Sequence, residues 1–341
     1  MTRTSAAPFA DLQLLGLGHA HPENELSNKF LESLDIGTDD EWILERVGIR
    51  SRRTAMSLDY IRETRNSDPR GAIEASVVSN AELGARAARM AVERAGISLS
   101  DVGMLIAGSC APDTVSPAEA CNIGRLLELE RPCFDVNSAC TSFFAGVNVL
   151  SMMQPEKLPT YVLLVAADVM TRTVDYNDRA SAVLWGDGAA AALLSMREPG
   201  SARITGSTFA GSPAGAEMIV VPRLGHFRQE GRKVQMFAIK KTSAFVKELQ
   251  AEYEEPGRSF HFIGHQANLR VLETVCRRCE IDEERHHYNV DWYGNSGSSS
   301  AAAVASMTWD KWVAGDDVAM VGVGSGLAWS RYMIRFGAER S

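Results

Sequence analysis

Short apolar runs recur along the chain and alternate with longer stretches of helical character. Runs at residues 12–18, 102–108, 160–167, 203–209, 260–264, 318–323 and 329–336, with a further one inside 181–194, predict strands. Residues 160–167 (Thr-Tyr-Val-Leu-Leu-Val-Ala-Ala) are continuously apolar, as a strand buried on both faces requires. Between these runs the pattern predicts helices over 24–34, 39–47, 81–95, 117–127, 238–253, 268–280 and 295–313. The segment 81–95 is Ala-rich and stopped by Gly96. Residues 57–79 are polar, contain Asp68-Pro-Arg-Gly71, and read as an excursion from the core. Strands and helices alternate on both sides of Glu198-Pro-Gly-Ser-Ala202. The expectation is therefore a layered α/β protein with halves at 1–199 and 200–341.

One stretch stands apart from this alternation. Phe134-Asp135-Val136 reads as a strand end, Asn137-Ser138-Ala139 as a turn, and a helical pattern follows from Thr141 through Phe144, Val147 and Leu150. Cys140 then falls in a first helical turn, where unpaired N–H groups and the positive end of the helix dipole stabilise a thiolate. Taken alone, the stretch also fits a buried structural cysteine, which packs as a small hydrophobe.

Composition narrows the classes. The 341 residues, 45% of them hydrophobic, suit a soluble globular protein with a large core. A net charge of -8 argues against nucleic-acid binding through a broad positive field. No segment reaches the roughly 18 apolar residues of a membrane span, and residues 1–10 lack a signal-like apolar run, so a cytoplasmic location is expected. The six cysteines are read as thiols. Cys276-Arg-Arg-Cys279 has redox spacing but lies inside a helical pattern and reads as packing. His19/His21 and His286/His287 have no accompanying ligand cluster, so no metal is expected.

Three features converge on Cys140. His265 directly follows the strand at 260–264, Asn295 stands in Tyr293-Gly-Asn-Ser-Gly297 at a helix start, and Gly324-Ser-Gly326 follows the strand at 318–323. Separately each has an ordinary reading as a structural histidine, an N-cap or a turn. Jointly they occupy strand ends, which in layered α/β proteins can meet in one crevice. Arg46, Arg50, Arg52 and Arg53 also cluster, as a solvated face or as a site for phosphate groups or an acidic partner.

With these residues in place the chain resembles the ketoacyl synthase III family of the thiolase superfamily. The likeness runs through Asp40-Glu-Trp-Ile43, Gly48-Ile-Arg-Ser-Arg-Arg53, Ala139-Cys140, Gly186-Asp-Gly-Ala189, His265-Gln-Ala-Asn-Leu-Arg270, Gly294-Asn295 and Gly324-Ser-Gly-Leu-Ala-Trp329. The resemblance implies a five-layered αβαβα thiolase-like fold of two similar halves, usually a homodimer. It implies a catalytic triad of Cys140, His265 and Asn295, with backbone N–H groups of Cys140 and Gly326 as the oxyanion site. Trp42, Arg46 and Arg172 fall where the family meets the CoA nucleotide or pantetheine, and Arg270 where an acyl carrier protein docks, with Lys240 and Lys241 as possible additions. No cofactor is implied beyond CoA or phosphopantetheine thioesters as substrates. The expected activity is Claisen condensation of a Cys-bound acyl group with a malonyl- or β-ketoacyl-carrier protein. The alternatives are acyl transfer to a hydroxyl or amine, and a silent partner subunit.

Some positions depart from the family pattern. The 57–79 segment is long, Ser116-Pro117 stands where a bulky aromatic is expected at the dimer contact, and Ser325 replaces a glycine. These differences favour a specialised secondary-metabolism relative with a roomier pocket. In some relatives an acidic residue near the dimer interface serves as an added base. Asp113 and Glu119 are the candidates here, against a plain surface or helix-start role.

Overall fold

The computed structural model describes residues 11–337. Its frame is nine strands: β1 Leu12–Ala20, β2 Val102–Gly108, β3 Cys133–Asp135, β4 Tyr161–Val169, β5 Asp187–Ser195, β6 Ala202–Gly211, β7 Ser259–Gly264, β8 Asp316–Gly324 and β9 Ala328–Phe336. Their spatial order is β7-β8-β9-β6-β1-β5-β4-β2-β3. The join at β1 and β6 covers only Leu12–Leu14 against Ala202–Ile204. Each side of that join repeats one plan. An antiparallel pair (β1 with β5, β6 with β9) continues through another antiparallel contact into parallel strands (β4-β2-β3, β8-β7 after β9).

Side-chain alternation along the strands explains the layers. In β4, Val162, Leu164 and Ala166 face a middle layer formed by the helices Ser142–Met152 and Ser300–Met307, through Phe143, Phe144, Val147 and Ala301 to Ala305. Their neighbours Leu163, Val165 and Ala167 face outward to Ala87, Ala88 and Ala91 of helix Asn80–Ala95. In β8, Val318 and Met320 face the same middle layer, while Ala319 and Val321 join Val246, Leu249, Leu272 and Val275 of the helices Gly231–Tyr253 and Leu269–Cys279. Helix, half-sheet, helix, half-sheet, helix is the resulting stack, the α/β thiolase-like arrangement expected from the sequence.

Several elements differ from the sequence reading. Residues 24–34 divide into a strand, Asn24–Ser27, and a helix, Asn28–Ser33, capped by the Ser27 side chain. The expected helix at 295–313 is regular only over Ser300–Met307, because 295–299 form the irregular floor of the site. The 57–79 segment is no excursion. It contains a helix, Leu58–Thr64, and buries Ile61, Asn66 and Ala72. Asn66 anchors it by donating from Nδ2 to the carbonyls of Arg172 (2.9 Å) and Val174 (2.8 Å). Its polar composition hid that one buried amide. Among the described residues, no helix is long and apolar enough to cross a membrane.

Candidate active site

Cys140 sits in a short helical turn, Ala139–Thr141, that runs directly into helix Ser142–Met152. Ala139 holds a left-handed φ of 47°, a conformation that costs a non-glycine residue roughly 1 kcal/mol or more. Local hydrogen bonds stabilise the turn. Asn137 Oδ1 accepts the Ala139 N–H (2.9 Å), Ser142 Oγ accepts the Ser138 N–H (2.9 Å), and Ser142 Oγ donates to the Ala139 carbonyl (2.7 Å). The end of β8 lies against it. A Cβ at Gly324 would stand 3.2 Å from Cys140 Cβ and 3.3 Å from Cys140 N, so glycine permits this close approach.

A cavity of about 480 Å³ opens above the sulfur. Cys140, His265, Asn295 and Gly324 lie on its wall, with Leu184, Trp185, Phe227 and Phe237 supplying apolar surface. His265 continues the β7 line, its N–H donating to the Val321 carbonyl (2.8 Å). Its ring is fixed by Ser300, whose Oγ lies 2.9 Å from Nδ1. Asn295 is held twice through its backbone, donating to the Leu184 carbonyl (2.9 Å) and accepting from the Gly186 N–H (3.1 Å). Gly186 is necessary there, since a Cβ would fall 1.9 Å from the Tyr293 carbonyl oxygen. Asn295 Oδ1 accepts the Gly297 N–H (3.0 Å), which identifies the side-chain oxygen and leaves the Nδ2 donor for the cavity.

The electrostatics favour a thiolate on Cys140. A hydrogen bond from the Cys110 thiol, with Sγ to Sγ 3.8 Å, holds its pKa well below the usual thiol range, and His265 acts in the same direction against the cost of burial. The same contact, together with burial, pushes Cys110 well up, so Cys110 is the protonated partner. Asp168 Oδ1 accepts the Cys110 N–H (2.5 Å) and the Ser109 hydroxyl (2.9 Å), while its Oδ2 accepts from Ser298 N and Oγ (2.6 Å each). The 109–110 segment and the floor under Asn295 are thereby tied to one buried carboxylate.

Trp42 and Arg46 both line the cavity. Arg179 joins them, its guanidinium carbon 4.9 Å from the Trp42 ring centre, with that of Arg46 at 5.3 Å. Arg172 is a correction. It is buried, ion-paired with Asp113 and bonded to Ser76 Oγ (2.8 Å), away from the cavity wall, because a carboxylate and a hydroxyl claim its guanidinium. Asp113 is thus committed to an arginine. Glu119 is buried at the start of helix Glu119–Leu126, where Oε2 accepts the Asp113 N–H (2.8 Å). Neither acid lines the cavity. Arg52, fully buried, donates to the Val183 carbonyl and Asn28 Oδ1 and is likewise unavailable to a ligand. Arg270 is half-free, donating to the Leu44 carbonyl (2.6 Å) and to Glu273.

Gly326 lies in the turn after Gly324 with φ of 131°, beyond the residues that line the cavity; Gly324 is the member of this loop that touches Cys140. Cys276 and Cys279 are buried in a helix, and burial pushes the Cys276 thiol up to about 12. Among the described residues, no group of three or more His, Cys, Asp or Glu is placed to hold a metal ion. Cys110, Ser300 and Arg179 carry no distinctive local pattern. Only the proximity of Arg179 to the Gly186-Asp-Gly188 motif offered a hint.

Comparison with known proteins places this geometry in context. Residues 134–213 match the family described as 3-oxoacyl-[acyl-carrier-protein] synthase III, and residues 256–336 match its C-terminal region. The chain is 31% identical to the β-ketoacyl-[acyl-carrier-protein] synthase III of Syntrophomonas wolfei over 96% of this chain and 98% of that protein. It is 31% identical to the Roseiflexus enzyme of the same name, over 95% and 98%. The crystal structure of 3-oxoacyl-[acyl-carrier-protein] synthase III from Aquifex aeolicus superimposes with a TM-score of 0.83 at 25% identity, over 95% of this chain and 100% of that one.

Proposed function

We propose the following course of reaction for this chain, which belongs to the 3-oxoacyl-[acyl-carrier-protein] synthase III family and is a condensing acyltransferase acting on acyl thioesters. The Cys140 thiolate attacks the carbonyl of an acyl-CoA or acyl-carrier thioester, forming an acyl-enzyme and expelling the donor thiolate. A second thioester then enters and becomes a carbon nucleophile, a malonyl group by losing its carboxylate as CO2 and a β-ketoacyl group by giving its acidic α proton to water. The enolate oxygen formed at that moment needs donors. His265 Nε2 and Asn295 Nδ2 are the atoms free to supply them, because Ser300 occupies Nδ1 and Gly297 occupies Oδ1. Ser300 Oγ, which accepts the Gln266 N–H (3.3 Å), can donate its own proton to His265 Nδ1, and in that tautomer the ring proton stands on Nε2 for the enolate oxygen. The enolate carbon attacks the acyl carbonyl on Cys140 and forms the carbon–carbon bond, and collapse of the tetrahedral adduct then breaks the carbon–sulfur bond and expels the Cys140 thiolate.

The observation that carries this reading is the meeting of Cys140, His265 and Asn295 on one cavity wall, each from a different element. In the outer part of the cavity, Trp42 between two arginines offers an aromatic face and positive charge, suited to the nucleotide of CoA. Arg270, partly exposed beside Glu273, is the cation we assign to carrier-protein docking. The open side of edge strand β3 is the surface we assign to a second copy. The test is intact-mass measurement after incubation with acyl-CoA and acyl-carrier thioesters. An acyl adduct assigned to Cys140 is expected, and no adduct with any donor would reject the reading. With the adduct formed, product analysis with malonyl-carrier protein, β-ketoacyl-carrier protein and small alcohols separates condensation from transfer to oxygen.

A further inference from the structure

We infer that Cys110 is a further catalytic residue, whose S–H stabilises the Cys140 sulfur whenever that sulfur carries negative charge. The inference rests on Cys140 being the nucleophile. Its geometric basis is the 3.8 Å contact between the two sulfurs. Two cysteines in contact divide one negative charge unequally, and the surroundings decide how. Cys140 lies at a helix start beside His265, on the cavity wall. Cys110 follows β2 and stands beside the buried Asp168 carboxylate, which takes its backbone N–H and repels a second negative charge. The proton therefore stays on Cys110 and the negative charge on Cys140.

A thiol is a weak donor to neutral partners and a better one to an anion. The contact is therefore worth most at two moments, before attack on the donor thioester and as the thiolate leaves the tetrahedral adduct. No proton is transferred in either. Cys110 keeps its S–H throughout, and the sulfur that gains or loses the acyl group is always that of Cys140. Asp168 also fixes the donor. By binding Ser109, Cys110 and Ser298 together it sets the distance between the 109–110 segment and the nucleophile turn.

The experiment compares the full-length parent with Cys110→Ala and Cys110→Ser. Iodoacetamide labelling of Cys140 is followed from pH 5 to 10 and assigned by fragment ions, because Cys133 shares its tryptic peptide. The Cys110→Ala protein is expected to label on the order of tenfold more slowly at the low-pH end, with its midpoint moved upward. Its rate should converge on the parent's at high pH, where the thiolate forms without assistance. Cys110→Ser, which keeps a donor at the same place, should restore most of the loss. The same order is expected for acyl-enzyme formation from an acyl-CoA at pH 7. Unchanged midpoints in both variants would overturn the inference, as would a rate lowered equally at every pH, which marks a merely structural role. If Cys110→Ala fails to fold, the Cys110→Ser and Cys110→Val profiles decide, with serine parent-like and valine shifted. Failure of the parent to label or acylate at Cys140 would instead remove the nucleophile reading itself.

Discussion

The base and the mouth of the cavity are built in opposite ways. At the base each polar group has one atom fixed and one left free. Ser300 holds His265 Nδ1, Gly297 holds Asn295 Oδ1, and Ala139 accepts a strained backbone to turn the Cys140 sulfur toward the cavity. At the mouth Trp42 is flanked by Arg46 and Arg179 at 5.3 and 4.9 Å, in contacts that individually contribute about 0.5–1 kcal/mol at exposed sites. The base is arranged for chemistry, where a donor displaced by an ångström loses its function. The mouth is arranged for binding, where several weak contacts add and none is decisive. Arginines make the contrast sharpest, since Arg172 and Arg52 are buried and claimed by the protein while Arg46 and Arg179 face the cavity.

This contrast can be broken first at Arg172. Replacing it with alanine strands Asp113 without its partner, and loss of one member of a buried pair typically costs about 3–5 kcal/mol. Denaturant melts should show that loss in Arg172→Ala, while KM for the acyl-CoA donor in the surviving folded fraction stays near the parent value; a raised KM with intact stability would return Arg172 to the mouth. Next is Asn295→Ala, where removal of one oxyanion donor should cost roughly 3 kcal/mol in the barrier, about a hundredfold in kcat. Acylation of Cys140 should survive in that variant, and equal loss of both steps would contradict the assignment of Asn295 to the enolate.

Glu119 tests whether the acids near the 110–119 loop belong to the fold. Burial, then the neighbouring Asp113 carboxylate, raises its pKa from 4.5 to about 7. The folded protein thus holds a proton that the unfolded chain gives up. That contribution is fully present below about pH 4.5 and is lost as pH rises through about 7. Between those limits the parent should lose on the order of 3 kcal/mol relative to Glu119→Gln, read as the difference between their unfolding curves at pH 4.5 and 8. A pH-independent difference would place the titration elsewhere. The smallest effect is expected at the mouth. Arg179→Ala should raise KM for CoA thioesters several-fold, about 1 kcal/mol, with kcat unchanged. A fall in kcat instead would tie Arg179 to the base.

Much of this was legible beforehand, because strands buried on both faces write continuous apolar runs and helices between them write a different period. The sequence marked Cys140 after a turn, His265 after a strand and Asn295 at an expected helix start, and the folded chain brings all three to one cavity wall. Arg172 was misplaced and Arg179, Cys110 and Ser300 were passed over for one reason. Sequence shows that an arginine, thiol or hydroxyl is present, and only the folded chain shows what it faces. Asp113 stands 59 residues from Arg172, Cys140 stands 30 from Cys110, and Ser300 stands 35 from His265.

The sequence by itself determined the layered α/β architecture, since backbone periodicity and strand-end position are local properties that short stretches encode. Tertiary structure alone decided which arginines bind the protein and which face the cavity, and which of two touching thiols keeps its proton. Those outcomes depend on distances of a few ångströms between distant segments and on burial, which sets the strength of every charge and hydrogen bond among them.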